Sequence, residues 1–423
     1  MNRARRRALL LMILLVVFLG HVFSKVRTPY DSRWSIHTAM SIIAEGNTDL
    51  NEYEQLLADE KYYQIEEIVG RKYAVYPVGP SLLAVPFVAV KEVYYRLVHG
   101  YSFQKRLEHR IPSKFEKFIA SVIVALTAVL IYLIAERRLV SVGKGLVIVF
   151  VFAFCTSAWS TASRALWQHG PSMLMLSATL YLILLAEERP KVIQFAGLPL
   201  AFSYVIRPTN IIPIVVLSLL ILLRHRRHFL RFFTWSSSIF IPFVVFNFVV
   251  YGKPLSWYYM PVRLRGHAHF FEALAGTLVS PSRGLFVFSP VLLLFILGVL
   301  FRLKQKRPDG VDVSLLVILV LHWVVISFSM AWWGGHSFGP RYFCDMVPFF
   351  MWFLIPVVEK FRRPVTGRGI VLAATLTCLA AFSFFVHFRG ATHRPCMTWN
   401  IQPTDINKDR DRLWDWSDMQ FLR

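Results

Sequence analysis

Apolar residues in this chain fall into runs of roughly 16 to 20, long enough to cross a bilayer, rather than into the short alternations of a soluble domain. The first run, Ala8 to Phe23, follows the basic stretch Arg3 to Arg7, and the next uninterrupted one covers residues 116–135. From there on, short polar connections punctuate the apolar runs. They are Glu136-Arg137-Arg138 with Lys144, Arg164 to Gly170, Glu187 to Lys191, Arg207 to Asn210, Arg224 to Arg227, residues 251–284, Arg302 to Arg307, Trp332 to Arg341 and Glu359 to Arg368. The pattern predicts an all-α polytopic membrane protein with about eleven transmembrane helices. They form one unit over residues 1–388, followed by a short polar tail over residues 389–423.

The gap between the first two runs, residues 24–115, reads as the first outer loop. Residues 32–45 carry Ile36, Ala39, Met40 and Ile43 at helical spacing, with Arg33, His37 and Ser41 on other faces. Asp31 or Ser32 can cap the start of this helix, and Gly46 fits its end. It is too short and too polar to span and is expected to lie in the interface. Residues 47–73 read as a solvated loop. After Tyr76-Pro77-Val78-Gly79-Pro80 an apolar patch reaches Val90 and is then broken by Lys91, Glu92 and Arg96.

Charge decides whether residues 81–98 span. If they do not, the densest Lys/Arg loops share one side with the N-terminus, as the positive-inside rule requires; if they do, every later loop inverts. They are therefore read as a second interfacial helix, which leaves the basic stretch Lys105 to Lys114 outside. The N-terminus is then cytoplasmic and the C-terminus outside. Ser24-Lys25-Val26-Arg27 offers no small-residue cleavage site, so the first helix is expected to be retained.

The net charge of +22 would suit nucleic acid in a soluble protein. Here the cations sit in short loops between apolar runs, so membrane lipids are the expected partners and nucleic acid is not. The four cysteines have no metal-ligand spacing. Cys155 and Cys378 read as packing residues, whereas Cys344 and Cys396 both fall on the outer side, where pairing is open to them. No internal repeat is visible, which counts against a transporter built from two related halves.

Four distant polar clusters share the outer side with Asp31. They are Ser163 to Pro171, with Arg164 and His169; Arg207-Pro208-Thr209-Asn210; the loop with Trp257-Tyr258-Tyr259, Arg263, Arg265, His267, His269 and Ser280 to Gly284; and Trp332 to Tyr342, with His336 and Arg341. Asp31 is either a helix cap or a catalytic base, and the tryptophans and tyrosines are a membrane belt or sugar platforms. The arginines are harder to dismiss. Arg164, Arg207, Arg283 and Arg341 each stand at an outer helix end, where Arg is disfavoured, and guanidinium suits bidentate phosphate binding. With Arg33, His169 and His336 they make up the candidate substrate-binding set. His169, His267 and His336 lack metal-ligand spacing, so no metal is assigned.

The order of these features resembles the GT-C superfamily of integral-membrane glycosyltransferases. An outward Asp31 heads an interfacial helix ending in Glu45-Gly46, and Tyr76-Pro77 precedes a second one. The nearest likeness is to the bacterial protein-mannosyltransferase-like branch, which includes the lipid A aminoarabinose transferases. It is strongest over the first 210 residues, and Arg164 to Pro171, Ser280 to Gly284 and Gly334 to Arg341 also look like segments of bacterial members. The resemblance implies a GT-C-like fold with Asp31 as base. It also implies a polyprenyl-phosphate sugar donor and inverting transfer at the outer face of a bacterial inner membrane. No cofactor is required; a divalent metal is admissible but not expected.

The chain departs from the family in three places. Ser32 follows Asp31 where many members have a second acid. Tyr76 precedes Pro77 where Lys is usual, Lys72 being the nearest lysine. Arg164 and His169 stand where the second outer loop has an Asp, which leaves Glu45 and Asp345 as candidates for a second carboxylate. The rival readings are a polymerase or ligase of lipid-linked glycans, acting on the same face, and a membrane transporter, which should carry ionisable groups near the bilayer centre.

Overall fold

The computed structural model describes residues 2–58, 62–261, 266–304, 309–361 and 367–423. Arg263 and Arg265, named above, lie outside them. The elements in order are α1 (Arg3–Val22), α2 (Ser35–Ala44), α3 (Glu54–Ala58), β1 (Ile65–Ile68), β2 (Arg71–Ala74), α4 (Gly79–His99), α5 (Phe103–Leu107), α6 (Ser113–Glu136), α7 (Val142–Phe154) and α8 (His169–Leu185). The second half contains α9 (Gly197–Ile206), α10 (Ile211–Arg224), α11 (Arg226–Tyr251), α12 (Phe270–Val279), α13 (Leu285–Phe288), α14 (Leu294–Leu303), α15 (Gly310–Ser327), α16 (Val347–Glu359), α17 (Gly367–Thr392) and α18 (Pro395–Thr398).

Among the described residues the regular structure is thus helical apart from one antiparallel hairpin. Among the described residues five segments are long and apolar enough to cross a membrane: Ser113–Glu136, Arg226–Tyr251, Gly310–Ser327, Arg341–Glu359 and Gly369–Thr392. A helix the length of α6 is about 36 Å long, against about 30 Å of hydrocarbon. The segment Arg341–Glu359 is buried almost throughout and forms the centre of the bundle, whereas α11 and α17 turn most of their apolar residues outward. Around that centre α6 packs on α1, α7 and α8, α14 on α16, and α10 on α15. One core runs from Ile13 of α1 through Ala125 and Ala128 of α6 to Phe349 and Trp352 of α16.

Ion pairs sort the connections into two ends. At one end lie Arg6–Glu136 (2.7 Å), Arg137–Glu188 (2.7 Å), Arg138–Glu187 (2.6 Å) and Arg224–Asp309 (2.9 Å). The connections that the charge pattern assigned to a common side with the N-terminus therefore do meet. At the other end the first long loop meets the 163–168 connection, the 256–259 turn, the 329–342 loop and the tail.

The first long loop differs from its expected form. Helix α2 begins at Ser35, and neither Asp31 nor Ser32 caps it; Trp34 holds the cap position without a side-chain bond. Nor does α2 lie on a surface. Ile36, Ala39 and Met40 are buried, and so are His37 and Ser41, because Tyr53 and the Leu107 carbonyl close over the polar side. Residues 47–73 are not a solvated loop: Leu50 and Tyr53 join the core under α2 and α4, and β1 and β2 form a hairpin. Both turn residues, Val69 and Gly70, have positive φ (49° and 74°), as a two-residue hairpin requires. Helix α4 is apolar on two sides. Ala84, Val88 and Tyr95 face the protein, while Leu82, Val90, Val93 and Leu97 are exposed.

The cysteines also depart from expectation. All four are free; Cys344 lies buried against the Ser157 carbonyl and Cys396 against that of Arg423, so the two do not pair. Cys378 is exposed rather than packed.

A Cβ built on Gly298 of α14 collides with the Phe353 carbonyl of α16. Gly298→Ala should therefore lower the thermal unfolding midpoint in detergent, at a cost of about 1–3 kcal/mol. Gly143→Ala, whose nearest neighbour is Ser141 Oγ at 3.8 Å, should leave it unchanged. Equal midpoints for the two variants would show that α14 and α16 do not pack in this way.

Candidate functional site

Asp31 lies in the turn between α1 and α2, and a buried carboxylate holds that turn. Glu116, in the first turn of α6, accepts from Ser32 Oγ and from the Leu166 amide (2.9 Å), so it ties both the Asp31 turn and the 163–168 connection to one helix. The hairpin supplies the next contacts. Gln64 Nε2 donates to the Tyr30 carbonyl (2.9 Å), and the hairpin brings the Tyr63 and Tyr76 hydroxyls to Asp31 Oδ1 at 3.2 and 2.9 Å. Arg341 Nη2 donates to the other carboxylate oxygen, and side-chain exposure is 16% for Arg341 and 15% for Asp31.

Burial pushes the Asp31 carboxyl up. The Arg341 charge and hydrogen bond, with the two phenols, more than offset it and hold the group below the usual carboxylate range. Burial first, and then the Asp31 charge, push both phenols up, so they remain donors.

Arg341 is itself held on three sides. Its guanidinium carbon lies 4.0 Å from the Trp167 ring centroid, Nε donates to His169 Nε2 (3.2 Å) and Nη1 to the Gly334 carbonyl (3.2 Å). Gly334 has φ +72°, a conformation glycine adopts without strain, and a Cβ there would press on Ser337 and Arg341. His169, the first residue of α8, has Nδ1 3.0 Å from Asp345 Oδ1. With Nε2 accepting from Arg341, the neutral tautomer carries its proton on Nδ1 toward Asp345, and Arg207 Nη1 also lies 3.0 Å from that Nδ1. Arg207 Nε lies 2.9 Å from Asp345 Oδ2 and donates to Thr209 Oγ1 (2.8 Å). Asp31, Arg341, His169, Asp345 and Arg207 thus form one continuous chain of contacts.

This chain borders a cavity of about 860 Å³. Asp31, Tyr63, Tyr76, Arg207, His336 and Arg341 form its polar end, and Ile211 and Ile212 of α10 with Val325 and Ile326 of α15 form an apolar wall. The tail contributes Asn407, which bonds His336 Nε2 at 3.0 Å.

Of the sequence-predicted residues, Asp31, His169, Arg207, His336 and Arg341 are brought together, and three are not. Arg33 stacks on Tyr62 at 4.6 Å. Arg164 is fully buried and donates to the His21 carbonyl (2.6 Å), securing the end of α1. Arg283 is fully buried, and its five N–H groups point at the oxygens of Trp333, Ser282, Gln420, Gly335 and Asn400. It anchors the tail and has no donor left for a phosphate. Glu45 is exposed at the end of α2, beside Gln104, and Asp345 is committed to His169 and Arg207. The three histidines considered as metal ligands make separate bonds, His267 to the Ser327 carbonyl and His336 to Asp405. Among the described residues no group of three or more His, Cys, Asp or Glu is placed to hold a metal ion.

Sequence reasoning did not assign Tyr63, Tyr76, Trp167 or Glu116 to the site. Glu116 did carry a signal, because a carboxylate at the head of a long apolar helix is costly unless it has a task.

No protein-family model matches the chain, and no curated protein matches it. Fold and site define a predominantly helical, membrane-embedded protein with a charged cavity at one end of its bundle.

Asp345→Asn leaves Arg207 without its buried counter-charge. Removing one partner of a buried pair costs about 3–5 kcal/mol, so the unfolding midpoint should fall sharply. A variant as stable as wild type would detach Asp345 from the framework of the site.

Proposed function

We propose that this chain is a membrane-embedded, inverting glycosyltransferase of the GT-C type, moving a sugar from a polyprenyl-phosphate donor to an acceptor at the outer face. The observation that carries the reading is the cavity. A carboxylate, two guanidinium groups and phenols at one end, with an apolar wall between α10 and α15, suit a charged head on an isoprenoid chain. In this reading α1, α6, α7, α8, Pro190–Ile206, Pro208–Arg224, α11, Pro290–Leu303, α15, Arg341–Glu359 and α17 are the crossings, about eleven in all. The end rich in ion pairs faces the cytoplasm of a bacterial inner membrane, as its Lys/Arg content favours, and the tail lies outside.

The contacts support the following reaction. The donor phosphate meets Arg207 and Arg341, and so competes with Asp31 for Arg341. Freed of that cation, Asp31 becomes a stronger base. It takes the proton of the acceptor hydroxyl as that oxygen bonds to the anomeric carbon. The bond from that carbon to the phosphate oxygen breaks on the opposite side, and the polyprenyl phosphate leaves with its charge held by the arginines. Tyr63 and Tyr76 keep the carboxylate aimed. A ligase of lipid-linked glycans would use the same face. A transporter is less well supported, because the ion pairs gather at the two ends of the bundle.

Asp31 caps no helix, so Asp31→Asn probes proton acceptance without a capping role to lose. Transfer by purified protein should fall by about 100-fold or more while insertion and donor binding persist. Wild-type turnover in this variant would remove Asp31 as base.

The exchange of partners also sets a pH signature. In the free enzyme Arg341 holds the Asp31 carboxyl low, so the acid limb of kcat/KM should lie below the usual carboxylate range. With donor bound the cation faces phosphate and the carboxyl rises, so the acid limb of kcat should stand at higher pH. A kcat limb at or below that of kcat/KM would exclude the exchange.

A further inference from the structure

A second cavity, of about 610 Å³, lies beside the first turn of α6 and shares no lining residue with the Asp31 cavity. Five cations line it: Arg27, Lys91, Arg106, Arg110 and Lys114. No carboxylate does. Among the described residues none of the five makes an ion pair, and the acid on the adjoining helix, Glu92, is engaged by Arg96, Ser102 and the Phe103 amide. Three of the cations are held in place. Arg27 Nη1 donates to Ser113 Oγ (3.1 Å), Lys91 Nζ lies 5.2 Å from the Phe115 ring centroid, and the Arg106 guanidinium carbon lies 5.9 Å from that of Tyr95. Five like charges around one cavity repel one another unless an anion joins them.

These cations include most of the basic stretch that the charge pattern leaves on the outer side, where topology gives it no purpose. The surroundings say what kind of anion fits. The walls include the aromatic rings of Tyr95, Phe103 and Phe115. Phe118 of α6, itself a lining residue, is an exposed apolar side chain, and Leu126, also exposed, continues the same helix face two turns further on. A phosphate in the cavity would therefore have apolar protein surface beside it for attached chains.

We infer that this cavity binds the phosphate of a membrane lipid, at a site separate from the Asp31 cavity. The inference does not depend on glycosyl transfer.

The test titrates the purified full chain, in neutral detergent, with dioleoyl-phosphatidylglycerol, with dioleoylglycerol, which lacks phosphate, and with inorganic phosphate, following binding by native mass spectrometry. Phosphatidylglycerol should bind saturably and dioleoylglycerol should not. Arg110→Gln with Lys114→Gln, both exposed side chains, should weaken phosphatidylglycerol by about thirtyfold. The unfolding midpoint without lipid should stay the same. Undiminished binding in the double variant, or equal binding of dioleoylglycerol, would overturn the site. Inorganic phosphate that binds as tightly as the lipid would make it a free-anion site and overturn the lipid assignment. Should the double variant fail to fold, Lys91→Gln replaces it and must weaken the lipid in the same direction. The Asp31→Asn protein should bind phosphatidylglycerol like wild type, whatever it does in transfer; loss of binding there would overturn the separateness of the two sites.

Discussion

A carboxylate buried out of reach of water needs its charge balanced by protein, and the end of this bundle that holds the cavity is assembled around one such group, Asp345. It stands near the start of Arg341–Glu359, the most buried of the apolar segments long enough to cross a membrane among the described residues, with Arg207 near one oxygen and His169 at the other. By accepting from His169 Nδ1 it leaves Nε2 free to accept from Arg341, and Arg341 in turn reaches Asp31. The orientation of the outermost carboxylate is thus set by the innermost one. Glu116 performs a parallel task from α6, holding Ser32 and the Leu166 amide. Such groups are costly among apolar helices unless they are paired, and Arg207, His169, Ser32 and the Leu166 amide are the groups that approach them.

The helical segments were legible because a bilayer demands long uninterrupted apolar runs, and the charge of the connections was legible because it sorts them to two ends. What could not be read was set by distant partners. The turn at residues 30–34 is determined by Glu116, 84 residues beyond Ser32, so a capped helix starting at residue 32 was the natural reading of the local pattern. The hairpin was missed because Ile65-Glu66-Glu67-Ile68 does not alternate and because Val69, a β-branched residue at positive φ, is not a residue that marks such a turn. Yet that hairpin delivers both phenols to Asp31.

The arginines show the same limit. Arg164, Arg207, Arg283 and Arg341 look equivalent in sequence, each at a helix end on one side. Their roles separate only when donors are matched to acceptors. Arg283 meets Gln420 and Asn400, 137 and 117 residues further on, and becomes scaffold. Arg164 secures a carbonyl at the end of α1. Arg207 and Arg341 border the cavity, where an incoming anion can reach them. The tail, set apart in sequence as a polar appendage, belongs to this arrangement. Asp405 and Asn407 bind His336, Asn407 accepts from Trp333 Nε1 (2.9 Å), and together they brace the loop whose Gly334 carbonyl holds Arg341.

The pairing of Asp31 with Arg341 looks at first like an argument against Asp31 as a base, since a carboxylate held low by a guanidinium is a poor proton acceptor. The geometry removes the conflict. An unpaired carboxylate in so enclosed a turn would be pushed toward its protonated form by burial, and a protonated acid cannot accept a proton. Arg341 keeps the group ionised. It is also one of the two arginines best placed to receive the donor's phosphate, so in the proposed reaction the ligand that brings the sugar also draws the cation away. Base strength then rises when substrate is present, and the phenols of Tyr63 and Tyr76 hold the carboxylate in position while its charge partner changes.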